Sequence, residues 1–158
     1  MNYYTILESD LGPITIQASD EGLLGIWFEQ HTTLPSELGH YQPEHPVLSD
    51  AATQLTEYLS GTRQQFSLPL AAKGTEFQSK VWEVLCSIPY GESISYQELA
   101  NRVGNPKAVR AVGTANGRNP ISIVVPCHRV IGKDGKLTGY AGGVERKLKL
   151  LELESSSS

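Results

Sequence analysis

Past Pro69-Leu-Ala-Ala-Lys-Gly74 the hydrophobic period of this chain is helical throughout, whereas before it strands come first, and that contrast limits the folds open to it. Before it, apolar residues alternate, as in Ile14, Ile16 and Ala18 and again in Leu24, Ile26 and Phe28. After it they recur every three or four positions, as in Phe77, Val81, Val84, Leu85 and Ile88. Alternation suits strands and the longer period suits helices, so the chain reads as α+β, with its sheet in the first part and most of its helices in the second. The boundaries that follow are a domain over 1–70, a linker over 71–74, a mainly helical domain over 75–154 and a disordered serine tail over 155–158.

Strands are predicted over 3–7, 13–18 and 23–28, separated by turns at Asp10-Leu-Gly-Pro13 and Asp20-Glu-Gly22. Residues 29–46 read as a loop, Pro46 opens a helix with an apolar face of Val47, Ala51, Leu55 and Leu59 that ends at Gly61, and Phe66 and Leu68 suggest a further strand. Thr75 and Gln78 form a capping box for the next helix, which Pro89 stops. A second box, Ser95 to Glu98, opens a short helix that Gly104 closes, and Asn105-Pro106 starts another at once. So tight a turn fits a helix-turn-helix, and it also fits helical hairpins of other geometry. The last helix is predicted over Val144–Glu154 with Val144, Leu148 and Leu151 in the core.

Charge is divided as unevenly as hydrophobicity. Residues 1–89 carry three Lys/Arg against eleven acids, a net of −8, whereas 90–158 carry ten against six, a net of +4. A basic second half can meet phosphates although the whole chain is at −4. With Val109 and Val112 turned inward, the helix after Gly104 presents Lys107, Arg110, Ala111, Thr114 and Arg118 outward. That face is either a solvated one or a nucleic-acid contact, and its small side chains suit close approach to a groove. No apolar run approaches the roughly 20 residues of a bilayer span, and the N-terminus lacks a basic stretch followed by an apolar one, so a cytoplasmic location without membrane contact is expected.

The chemistry-bearing segment is Asn119 to Gly132. It places Cys127 directly after Pro126 and directly before His128 and Arg129, either of which could raise the thiolate fraction of a thiol whose ordinary pKa is about 8.5. Neighbours on a regular strand point to opposite faces, so the chain must bend at Pro126 or a water must bridge the two side chains. Cys86, on the apolar-rich helix before Ile88, reads as an inert, small hydrophobe. His31, His40 and His45 lack tetrahedral ligand spacing, and no metal or other cofactor is expected.

Five motifs stand in an order that resembles the O6-alkylguanine-DNA alkyltransferases: Ile88-Pro-Tyr-Gly-Glu92, Ser95-Tyr-Gln-Glu-Leu-Ala100, Asn105-Pro-Lys-Ala-Val-Arg-Ala-Val-Gly113, Pro126-Cys-His-Arg-Val130 and Gly139-Tyr-Ala-Gly-Gly143. The resemblance implies a ribonuclease-H-like N-terminal lobe and a winged helix-turn-helix-like, mainly helical C-terminal domain. It implies repair of alkylated double-stranded DNA by irreversible, single-turnover transfer from guanine O6, or thymine O4, to Cys127, after the base is flipped out through the minor groove. By the same likeness Glu154, His128 and a water activate the thiol, and Asn119 braces the loop. Arg110 fills the vacated stack. Tyr96, Tyr140 and the backbone of Val130 and Ala141 hold the base, while Lys107, Ala108, Ala111 and Thr114 lie along the DNA. The partner is then duplex DNA, met by a monomer that can bind cooperatively along it. Two departures stand out: Ser122 replaces a Pro of some relatives, and Leu153 replaces a common His.

Overall fold

In a computed structural model, described here for residues 1–29, 34–132 and 143–156, the chain is a mixed α+β protein. Strands β1 (Tyr3–Leu7), β2 (Ile14–Ser19) and β3 (Gly22–Phe28) form the predicted antiparallel meander, with a bulge between Gln17 and Ala18. The predicted loop contributes a two-residue strand, β4 (His40–Tyr41), which pairs parallel to β1 and gives a sheet of order β3-β2-β1-β4. Helix α1 (Pro46–Leu59) covers this sheet. His45 caps it, with Nδ1 accepting from Val47 N at 3.3 Å, and this tautomer leaves Nε2 to donate to Asp20 at 3.1 Å.

The buried stripe of α1 is Leu48, Ala51, Leu55 and Tyr58, whereas Val47 and Leu59 are only half-buried. Ala51 and Leu55 stand as predicted, while the ends of the stripe are Leu48 and Tyr58, the phenol of Tyr58 having a buried polar partner that an all-apolar reading has no means to see. Phe66 and Leu68 form no strand. Leu70 instead makes an isolated parallel bridge to Leu23, with bonds from Leu23 N to Pro69 O at 2.8 Å and from Ala71 N to Leu23 O at 2.7 Å. Farther along the same edge of β3, Ile26 bridges Ile121.

Helix α2 (Glu76–Leu85) starts at the Thr75/Gln78 capping box and buries Val81 and Leu85, and Trp82 Nε1 donates to Ala115 O at 2.9 Å across to the fourth helix. Cys86 caps the C-terminus of α2, just past its last buried residue Leu85, and is exposed. Next come β5 (Ile94–Ser95) and α3 (Tyr96–Val103), capped by Ser95 and closed by Gly104 in the left-handed region at φ 91°. Helix α4 runs over Val109–Gly117 and not from Pro106, since Asn105–Ala108 close a turn of their own, with Ala108 N donating to Asn105 O at 3.0 Å.

A single 3-10 turn at Cys127–Arg129 leads into β6 (Val130–Ile131), which pairs parallel to β5. Helix α5 spans Val144–Ser156, so part of the expected serine tail is helical. Its buried residues are Lys147, Leu150 and Glu154, while Val144 and Leu148 are exposed, which overturns the predicted stripe. Two charged side chains occupy that face because their partners lie inside the fold. Tyr140, Ala141 and His31 lie outside the described residues.

Candidate active site

The site is built on a loop that the sheet edge holds from behind. Ile26 N donates to Pro120 O at 2.8 Å and Ser122 N donates to Ile26 O at 3.2 Å, so the chain just before the cysteine is hydrogen-bonded to β3. The Ser122 bond uses an N–H that a proline at this position would lack. Inside the loop Asn119 acts as a staple: its Oδ1 accepts from Ile121 N at 3.0 Å and its Nδ2 donates to Val125 O at 2.8 Å. Ile123, a β-branched residue, is held at φ 72°, a conformation that persists only where the surroundings over-determine it.

Pro126 (φ −81°, ψ 64°) then turns the chain into the 3-10 turn, so the bend at Pro126 is the one that separates the cysteine from its neighbour. At three residues per turn, successive side chains diverge by about 120°. Cys127, His128 and Arg129 accordingly leave the backbone in three directions, all of them buried.

Burial pushes the Cys127 thiol up to about 11, against the pull of a hydrogen bond from the Asn119 side chain and the charge of Lys147. Arg129, a sequence candidate for activating the thiol, is engaged elsewhere. Its Nε and Nη2 reach Glu154 Oε1 and Oε2, each at 2.9 Å, and its Nη1 donates to Ile88 O at 2.6 Å. His128 Nε2 lies 2.7 Å from Glu154 Oε2. Burial lowers the His128 pKa more than Glu154 raises it, so the ring is neutral, with Nε2–H donating to the carboxylate and Nδ1 left as a base. That Nδ1 is buried with no hydrogen-bond partner among the described residues.

Glu154 is the hub. Burial alone would raise its pKa, but hydrogen bonds from His128, Arg129 and Tyr58, together with the charge facing it, bring it down to about 2. Leu153 in place of the common His leaves this geometry in place. Two residues escaped the sequence reading. Tyr58, 96 positions away, donates to Glu154 Oε2 at 2.5 Å. Lys147 is fully buried, and desolvation lowers its pKa to about 8. The signal for Lys147 was present, since 147, 150, 151 and 154 are themselves helically spaced.

The structure thus brings Cys127, His128, Asn119 and Glu154 together. Tyr96 joins them through Lys147, whose Nζ is 6.0 Å from the phenol ring centroid, and the ring also faces Gly113 of α4. Val130 is buried and pairs with Ile94, next to the cap of α3. Lys107, Arg110, Ala111, Thr114 and Arg118 are all exposed, and Ala108 is half-buried.

Residues 2–72 match the family described as 6-O-methylguanine DNA methyltransferase, ribonuclease-like domain, and residues 76–156 match its DNA binding domain. The chain belongs to the 6-O-methylguanine DNA methyltransferase family. Within that family it is 50% identical over 161 residues to the constitutive methylated-DNA–protein-cysteine methyltransferase of Bacillus subtilis, covering 99% of this chain and 98% of the relative. It is 47% identical over 156 residues to the methylated-DNA–protein-cysteine methyltransferase of Mycobacterium tuberculosis, covering 99% and 94%. The crystal structure of the M. tuberculosis O6-methylguanine methyltransferase superposes with a TM-score of 0.90 at 46% identity, over 100% of this chain and 95% of that one. That of M. tuberculosis OGT in complex with DNA superposes at 0.88, with 46% identity over 99% and 94%. The ribonuclease-like match accords with the expected N-terminal lobe. Among the described residues no helix is long and apolar enough to cross a membrane, and no three His, Cys, Asp or Glu side chains are grouped to hold a metal ion.

Proposed function

We propose that this methyltransferase repairs DNA by moving the alkyl group of O6-alkylguanine, and of O4-alkylthymine, onto Cys127 Sγ, once per protein molecule. The observation that carries the assignment of roles is a buried thiol beside an imidazole whose Nε2 is locked to Glu154, leaving Nδ1 as the basic atom. The thiol proton passes to His128 Nδ1 through a bridging water. The sulfur electron pair then attacks the alkyl carbon, the S–C bond forms, the C–O bond breaks, and its electrons return to the base, which takes up the equivalent of the proton the thiol gave to His128, leaving that ring neutral again. The product is a thioether, a poor leaving group, so the protein is consumed.

In this reading α3, the Gly104 turn and α4 form a helix-turn-helix of a winged domain that begins after 71–74. A monomer lays the thin face of α4, with Ala111 and Thr114, and the turn before it, with Lys107 and Ala108, in the minor groove. Arg110 replaces the flipped base in the stack, and Tyr96, Tyr140, Val130 and Ala141 form the base pocket. The exposure of the cationic face of α4 and the contact of Tyr96 with both Gly113 and Lys147 support this arrangement.

The test uses an oligonucleotide duplex labelled in the methyl group of O6-methylguanine. Label on protein should reach a plateau near one per chain, and Cys127→Ala should abolish it while retaining duplex binding. Turnover beyond one label per chain, or label retained by the Ala variant, refutes the reading.

A further inference from the structure

Helix α1 belongs to the sheet half of the molecule, yet one of its side chains ends on the carboxylate that holds His128. Tyr58 Oη donates to Glu154 Oε2 at 2.5 Å, and that same oxygen takes His128 Nε2 at 2.7 Å and Arg129 Nη2 at 2.9 Å. Oε1 takes Arg129 Nε at 2.9 Å. An sp² oxygen offers two lone pairs, so three donors on Oε2 divide its charge among them. The phenol is fixed: its ring packs on Phe66 at 5.3 Å and meets Tyr90 edge-on at 6.1 Å. Burial and the neighbouring carboxylate raise its pKa far above the ordinary range, so it is a neutral donor at every pH the protein meets.

We propose that Tyr58 is a positioning residue for alkyl transfer, whose hydroxyl draws charge from Glu154 Oε2 and so holds down the basicity of His128. This rests on the reading of His128 and Glu154 as the proton acceptor for Cys127. A carboxylate that accepts from a phenol is less basic, polarises the His128 N–H less, and leaves Nδ1 a weaker base. The sheet half then adjusts the proton acceptor besides covering it. Among the described residues the titratable and charged groups that act on the pair are Tyr58 from α1, Arg129 from the 3-10 turn and Lys147 from α5, with Tyr90, from the turn after α2, against Tyr58 and Arg129.

The experiment is the pH dependence of single-turnover methyl transfer by the full chain carrying Tyr58→Phe, which deletes the hydroxyl and keeps the ring. With Oε2 released to His128, the acid limb of the profile should move up by about half to one pH unit. In ¹⁵N NMR the midpoint of the His128 ring titration should move the same way. A residue that only supports the fold would lower the unfolding temperature and leave both midpoints in place. Site-specific 3-fluorotyrosine at position 58, a stronger donor of nearly the same shape, should move the limb down, and it carries the test should the Phe variant fail to fold. Superimposable acid limbs and His128 midpoints overturn the proposal. His128→Asn separates the two levels. If it transfers at the wild-type rate, the reading of His128 fails; if it is slow while Tyr58→Phe leaves the limb unmoved, only the role of Tyr58 fails.

Discussion

Replacing Glu154 by Ala should destabilise this protein more than almost any other single truncation. The carboxylate accepts four hydrogen bonds of 2.9 Å or less, from Tyr58, His128 and twice from Arg129. Its loss leaves the guanidinium of Arg129, whose side chain is 8% exposed, with the Ile88 carbonyl and the face of Tyr90. Breaking a buried pair by removing one partner costs about 3–5 kcal/mol. In a domain of this size each kcal/mol corresponds to roughly 2–4 °C, so the midpoint should fall by roughly 6–20 °C. Urea denaturation and thermal scans of Glu154→Ala, Arg129→Met and the double variant measure this. The double variant should be more stable than the sum of the single losses, because no charge is then stranded. The pH dependence has a definite sign. The folded pKa of Glu154 is lowered from 4.5 to about 2, so its contribution is complete above the unfolded value and is lost as pH falls from about 4.5 towards 2. The deficit of Glu154→Ala should shrink over that window. A loss below about 1 kcal/mol at pH 7, or strict additivity with Arg129→Met, refutes the reasoning.

Two further predictions concern the reaction. Lys147→Met removes the cation that favours the Cys127 thiolate and should slow transfer at pH 7 by about tenfold; because Lys147 itself loses its proton near pH 8, the ratio of the two rates should narrow above that pH, and a constant ratio sinks the idea. Arg110→Ala should impair transfer from a duplex far more than from the free base O6-methylguanine, and equal loss on both, measured as single-turnover rates, counts against insertion into the base stack.

Local signals in the sequence translated well into structure. The Thr75 capping box, the Gly104 terminus and the three strands of the meander are each decided within a few residues, and each stands where its pattern places it. The grouping of Cys127 with Asn119, His128 and Glu154 was legible only through the likeness of whole motifs, because their proximity depends on folding across the helices. Paired strands of two residues, such as β4 and the β5–β6 ladder, have no period to read. Half of the α1 face, Ala51 and Leu55, was legible, but Tyr58, Lys147 and Glu154 were missed because they are buried with polar groups, and an apolar pattern assigns such residues to the surface.

The bonding at the outer margin of β3 also bears on how copies of this protein can meet. A sheet ends in a row of open amide groups that invites another chain to add a strand. Here Pro69–Ala71 and Pro120–Ser122 already occupy that row, and the opposite margin is a strand of only two residues. Among the described residues neither border offers a long open template on which a second molecule could add a strand.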